Sequence, residues 1–291
     1  MDDTSITDFI TAFRSNKNII NLIKALFLIL RQKRAHELIY GVFCDLAYRP
    51  SPIKRGYDNF FLGQIMESAE RFICESQFLS RSELVQVFSK DFAVDFLPND
   101  FAGCRREGMV HAKRFLIIGE YGDNSSRVFY ITHKTCDIID FYNHVTGVKH
   151  IHLIHRYENP GEFLISTGDS KKLLDLWTIV DGKIRFTKRI KKYIAGYTAA
   201  IKVNGKLFLG TDFSNRPNYI ETLKGEKYFF PKKAYKQYVV TFYSLLNRYI
   251  VSINAEMVPF GGNKTLSIFD VLKEEFLFCD YVNSLDKFFL L

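Results

Sequence analysis

The sequence predicts a mainly β fold, a β-propeller of five or six four-stranded blades behind a short N-terminal helical segment. Three observations carry that prediction. A strongly apolar strand ending in a carboxylate recurs five times, at residues 71–75, 115–120, 163–169, 207–212 and 249–256, and its acids (Glu75, Glu120, Asp169, Asp212, Glu256) lie 45, 49, 43 and 44 residues apart. Turn residues open these runs: Asn204-Gly205 is a strong hairpin signal, and Glu158-Asn159-Pro160-Gly161 is a longer turn with the same role. Further strand-like runs follow most of the acids, at 127–132 and 137–143, at 173–180 and 183–190, and at 265–271 and 275–281. Four short strands every ~45 residues describe a propeller blade. A β-sandwich spaces its strands similarly but has no reason to repeat at that period.

Taken in order, residues 1–50 form the helical segment. Ile6, Phe9, Ile10 and Phe13 fall at helical spacing behind a Ser5/Asp8 cap, and after 15–18 a second set follows at Ile19, Leu22, Ile23, Leu26 and Leu30. Residues 51–291 hold the propeller, with five blades from 57 to 283. Residues 37–46 and 288–291 are left over, and pairing them would make a sixth blade or a closing strand, removing exposed sheet edges. A ring of five with a helical cap is the other arrangement.

Composition narrows the class. With 291 residues, 47% apolar, the chain can bury a large core without disulfides. Five scattered cysteines (Cys44, Cys74, Cys104, Cys136, Cys279) with no CxxC argue against a disulfide framework or zinc site and for a reducing, cytoplasmic setting. The start Met1-Asp2-Asp3 is the wrong charge for a secretory leader, and the longest apolar run, 22–30, is too short to cross a membrane. The net charge of +8 leans toward acidic partners, and Lys17, Lys24, Arg31, Lys33 and Arg34 would let 17–34 lie on a membrane surface. An apolar stripe of that kind ordinarily docks on its own domain. Bases and aromatics alternate at 227–233, a pattern that suits nucleic acid but is ordinary for an outer strand, so nucleic acid is not the expected partner. Nucleotide, zincin and α/β-hydrolase motifs are missing from the sequence, so no cofactor is expected and no metal ligand is assigned.

The first strand of a blade lines the central channel, and a hairpin sets its start beside the end of the second strand. Counting out from the turns places Tyr197 opposite Asp212, His150 and Ile151 opposite Asp169 and Gly168, Cys104 and Arg105 near Glu120, and Tyr57 with Asp58 near Glu75. The carboxylates and these partners therefore crowd one face. His150 and His152 point to the same side, ~7 Å apart along the strand. Two imidazoles so placed can bind a metal, exchange protons, hydrogen-bond sugar hydroxyls, or simply bond to neighbouring blades. The repeated acids can likewise accept backbone N–H bonds in the turns that follow them. Glu120 and Asp169 are the catalytic candidates, with His150 and His152, because Arg105 and Arg106 stand near them; Glu75, Tyr197, Asp212 and Glu256 complete the binding face.

Residues 119–124, 149–152, 166–169 and 210–212 resemble bacterial sialidase-like propellers of the BNR-repeat type over about 100–215. Residues 130–137 stand where an Asp-box would be and do not match S-x-D-x-G-x-T-W, so the resemblance is to the fold. The sialidase arginine triad is not carried over, although Arg105, Arg106 and Arg127 are present. The resemblance implies a glycan partner. The expectation is thus a carbohydrate-active or carbohydrate-binding propeller, with glycosidic bond cleavage as the reaction if it is an enzyme. The alternative is a non-catalytic scaffold that docks a protein on the polar face.

Overall fold

The computed structural model describes residues 48–53, 78–122, 126–168, 171–192, 196–213, 216–256 and 263–282. The chain divides into two compact units, residues 1–49 with 215–217, and residues 50–214 with 218–291; every element below belongs to the second. Its strands are β1 (Phe78–Leu79), β2 (Cys104–Ala112), β3 (Phe115–Glu120), β4 (Val128–Ile131), β5 (Cys136–Ile139), β6 (Ile151–Arg156), β7 (Glu162–Thr167), β8 (Leu173–Val180), β9 (Lys183–Lys192), β10 (Tyr197–Val203), β11 (Lys206–Thr211), β12 (Tyr219–Thr222), β13 (Lys227–Phe229), β14 (Tyr238–Leu245), β15 (Tyr249–Ala255), β16 (Lys264–Asp270) and β17 (Glu275–Tyr281).

These strands make four antiparallel meanders, β2-β3-β4-β5 with β1 added beside β2, then β6-β7-β8-β9, β10-β11-β12-β13 and β14-β15-β16-β17. Their first strands lie side by side in the order β2, β6, β10, β14. This is a β-propeller. Tight turns join the strands: Asn204 and Gly205, as the sequence implies, take positive φ of 48° and 74°, and Asp181 and Gly182 take 51° and 72°, the conformation of a two-residue hairpin turn.

The described residues hold four blades, not five or six. The 45-residue count assigned a first blade from residue 57, but residues 81–88 form helix α1 (Arg81–Phe88), and a single 3-10 turn follows at Val94–Phe96. The cause is local. Ser80 accepts the Glu83 N–H at 3.3 Å, while Glu83 accepts the Ser80 N–H at 2.7 Å, a complete capping box. Leu84 of α1 then packs with Phe92, Val94, Leu97 and Phe101 on Leu116, Ile118, Phe129 and Ile131, so this segment covers the outward face of the first described blade. The expected helices at 5–36, the strand at 71–75, and the closing pieces at 37–46 and 288–291 lie outside the described residues. Ile53, which precedes the first blade, bridges to Phe276 on β17 of the last.

Between blades the sheets meet face to face over apolar cores. Ile117, Val128 and Tyr130 pack on Ile151, Phe163, Ile165 and Trp177; Leu153, Leu164 and Leu176 pack on Tyr197, Leu209 and Tyr219; Phe208, Ile220 and Phe230 pack on Val239, Phe242, Phe269 and Phe276. The high aromatic content is spent there, where flat rings fill the space between twisted sheets. Two glycines set how closely the blades approach. A Cβ on Gly119 would lie 2.4 Å from Ile151 Cγ2, and one on Gly210 would lie 2.7 Å from Val239 Cγ1 and from Phe242 Cζ. A buried polar chain crosses the first interface: Trp177 Nε1 donates to Tyr142 Oη (2.8 Å), Tyr142 donates to Asp175 (3.1 Å), and Arg189 holds Asp175 with two bonds of 2.8 and 3.0 Å.

Candidate functional site

The starts of the inner strands and the ends of the second strands converge, as the hairpin rule requires, and bring together a buried polar cluster drawn from all four blades. Arg105 follows Cys104 at the start of β2, within a bulge that separates Cys104 from Met109, and its Nη2 donates to the Val240 carbonyl of β14 at 3.1 Å. This bond ties the first described blade to the last. Its Nε has no partner among the described residues. Arg105 Cζ stands 5.9 Å from the ring centre of Tyr121, which stacks on His150 at 4.0 Å. His150 and His152 stack at 4.8 Å and share a bond between their Nε2 atoms of 2.9 Å. His152 Nδ1 lies 3.2 Å from Asp212 Oδ2 in the next blade.

Proton placement follows from these neighbours. His150 Nδ1 faces the Gly122 carbonyl at 3.3 Å, so that nitrogen donates. His152 Nδ1 makes no hydrogen bond among the described residues, although Asp212 Oδ2 lies 3.2 Å away. Burial pushes the His152 pKa well below the usual imidazole range, and the charges of Arg105, His150 and Lys172 push in the same direction. Gly168 makes room for the ring, since a Cβ there would fall 1.9 Å from His152 Nε2.

The remaining expected site residues separate into four groups. Glu120 faces Cys104 in the register, as expected, but it is fully buried and committed to its own blade. Its carboxylate accepts two bonds from Arg127, each 2.7 Å, and one from the Ala102 N–H at 3.0 Å. Tyr197 sits opposite Thr211, one residue from the expected Asp212, because β10 is bulged between Tyr197 and Ala199. Its hydroxyl donates to Glu221, and burial followed by that carboxylate raises its pKa. Likewise Ile151 pairs with Thr167, and the His150 carbonyl accepts the Gly168 N–H. Asp212 does join the cluster: its N–H donates to Gly196, its carbonyl accepts from Lys172, and its carboxylate faces His152.

Arg106 and Glu256 stand apart. Arg106 is exposed and exerts its charge on Glu83 of α1, and Glu256 is exposed and accepts from the Asn263 N–H at 3.4 Å across its own turn. Glu75, Tyr57, Asp58 and Asp169 lie outside the described residues. The sequence pattern assigned no site role to Tyr121, Lys172 or the three glycines 119, 168 and 210. The glycines had a visible signal, since each precedes a strand-end acid by one or two positions. Among the described residues no group of three or more His, Cys, Asp or Glu side chains could hold a metal ion, and no helix is long and apolar enough to cross a membrane.

No family model matches the chain, and no curated protein matches it. Solved structures do. The Cps50 (Swd1) β-propeller domain of Myceliophteria thermophila aligns at 14% identity and a TM-score of 0.37, over 59% of this chain and 56% of that one. The N-terminal domain of Nup159 aligns at 7% identity and a TM-score of 0.33, over 60% and 46%. A chain of the S. cerevisiae Dbp5 assembly with Nup159, Gle1, IP6 and ADP aligns at 9% identity and a TM-score of 0.33, over 65% and 51%. The chain thus spans about half the length of the structures it matches.

Proposed function

We propose that this protein is a non-catalytic propeller scaffold that docks a protein partner on its surface. One observation carries the reading: among the described residues, the candidate acid–base groups Glu120 and His152 are used up in internal contacts. Glu120 is neutralised by Arg127, and His152, 1% exposed, is closed between His150 and Asp212. A glycosidase needs two carboxyl groups flanking an accessible bond. A sugar hydroxyl has no route to an imidazole that is sealed off in this way, so the same geometry weighs against glycan binding at the His150/His152 pair. The reading places the protein inside the cell, supported by the free thiols of Cys104, Cys136 and Cys279. Burial pushes the first two up to about 12 and about 11, so they stay protonated and unreactive.

The test pairs crosslinking mass spectrometry on the full chain with a glycoside hydrolysis panel. A reproducible set of crosslinked partners and no turnover is the expected result. Turnover that disappears in Glu120→Gln or His152→Ala, with the fold intact, would overturn the scaffold reading.

A further inference from the structure

Strand β9 is the longest among the described residues and lies at the outer rim of its blade, where it pairs with β8 and with no other described strand. Ten residues present an edge of about 33 Å whose outward backbone groups pair with no strand among the described residues. Six of the ten are basic and none is acidic. The register sorts them. Lys183, Arg185, Lys188 and Lys191 stand opposite Val180, Thr178, Leu176 and Leu174, alternate residues of β8, so all four cations project from one face. Strict alternation along β9 would break that row at Lys188. Two bulges, between the pairs at Leu174/Asp175 and at Leu176/Trp177, each insert one residue and keep the bases aligned.

Of the row, Lys191 is spent on Glu221 at 2.7 Å. Lys183, Arg185 and Lys188 are exposed and form no ion pair among the described residues. Glu162, across β8 on the same face, is held by Asn159 at 2.9 Å. On the opposite face Phe186, stacked on Phe141, remains 39% exposed.

We propose that the outer edge of β9 docks an extended acidic segment of a partner protein, which adds a strand to this blade with its acids over Lys183, Arg185 and Lys188 and an apolar residue against Phe186. The inference rests on the scaffold reading and names the partner's chemistry. Nucleic acid or an anionic lipid surface matches the charge, but only an extended peptide backbone also satisfies the strand edge. The lysines that keep such an edge from pairing with a second copy of the same basic strand are the ones that select an acidic one.

The experiment uses the full chain and a fluorescein-labelled twelve-residue peptide of alternating glutamate and valine, read by anisotropy and by deuterium uptake at residues 183–191. Binding with slowed exchange across β9 is expected. The triple variant Lys183→Glu/Arg185→Glu/Lys188→Glu should weaken it at least tenfold while leaving the urea midpoint unchanged. A peptide of equal charge with central prolines, which cannot form a strand, should not bind. Equal binding of the proline peptide, binding confined to oligothymidine or phosphatidylserine vesicles, no peptide binding, or an unaffected triple variant would each overturn the proposal. If the triple variant keeps every crosslinked partner of the wild type, the edge proposal falls and the scaffold reading stands.

Discussion

Gly119→Ala is the smallest substitution that tests how the blades are spaced. Gly119 lies on β3, and its missing side chain faces Ile151 of the next blade. The added Cβ would meet Ile151 Cγ2 at 2.4 Å, Cβ at 2.6 Å and Cγ1 at 3.2 Å, where ordinary contacts begin at 3.4 Å. Rotating the isoleucine does not help, because its own Cβ is among the overlapping atoms. Relief therefore needs the strands to part by about 1 Å in a close-packed interface, which puts the cost near the top of the usual 1–3 kcal/mol for overpacking. Removing a strand glycine returns roughly 0.5–1 kcal/mol of backbone entropy. The net expectation is a loss of about 2 kcal/mol, or about 0.7 M in the urea midpoint for a slope near 3 kcal/mol/M. Ile151→Ala alone opens a cavity and should cost about 2–5 kcal/mol. Together the two changes should cost less than their sum, by on the order of 1 kcal/mol, because each offsets the other's volume change. A Gly119→Ala protein as stable as wild type, or a strictly additive pair, would refute the claim that this contact sets blade spacing.

Two further outcomes follow from the buried charges. Arg127→Met leaves the Glu120 carboxylate buried without its cation, so a loss of about 3–5 kcal/mol is expected by urea unfolding, with Glu120→Leu/Arg127→Met recovering most of it. If Arg127→Met alone proves harmless, the pair is not what holds that strand end. His152 is buried as the neutral base, with its folded pKa below the unfolded value near 6.5. The unfolded chain then takes up a proton that the native state refuses, so stability is full above that value and falls as pH drops below it. The limiting slope is about 1.4 kcal/mol per pH unit for one group. His152→Gln should flatten the urea midpoint against pH between about 7 and 5, whereas an unchanged slope would show that His152 already carries its proton.

The strands were legible because each has a local signature. The expected runs at 173–180 and 275–281 coincide with β8 and β17, and 115–120 with β3, since alternation and the flanking turns decide them within a few residues. Blade number was not legible in the same way. The strand-end acid at Glu75 extended the period backward, while the capping box of Ser80 and Glu83 a few residues on was read over. The candidate site divides along the same line. Counting out from a turn placed Cys104 beside Glu120, but it slipped by one at Tyr197, where a bulge adds a residue that no composition signal marks. Contacts between blades, such as His152 with Asp212 and Arg105 with Val240, depend on packing rather than on any turn and were reached only by the expectation that strand ends crowd one face.

The same contacts explain why a net charge of +8 that looks evenly spread in the sequence becomes local in the fold. Glu120 is bound by Arg127, Asp175 by Arg189, Asp270 by Arg248 and Glu221 by Lys191, each at 2.6–2.8 Å, and all four acids are buried. Every such pair withdraws one charge of each sign from the surface, so the excess must appear where bases outnumber the acids within reach. On β9, Arg189 and Lys191 are consumed in this way, while Lys183, Arg185 and Lys188 face solvent with no acid on their own strand to meet them. An exposed cation row costs little stability, because water and salt screen it. It is instead a determinant of what can approach the strand. Glu120, a carboxylate that suggested catalysis, is thus one that the fold uses to neutralise its interior, and the bases left over define the surface on which a partner would be chosen.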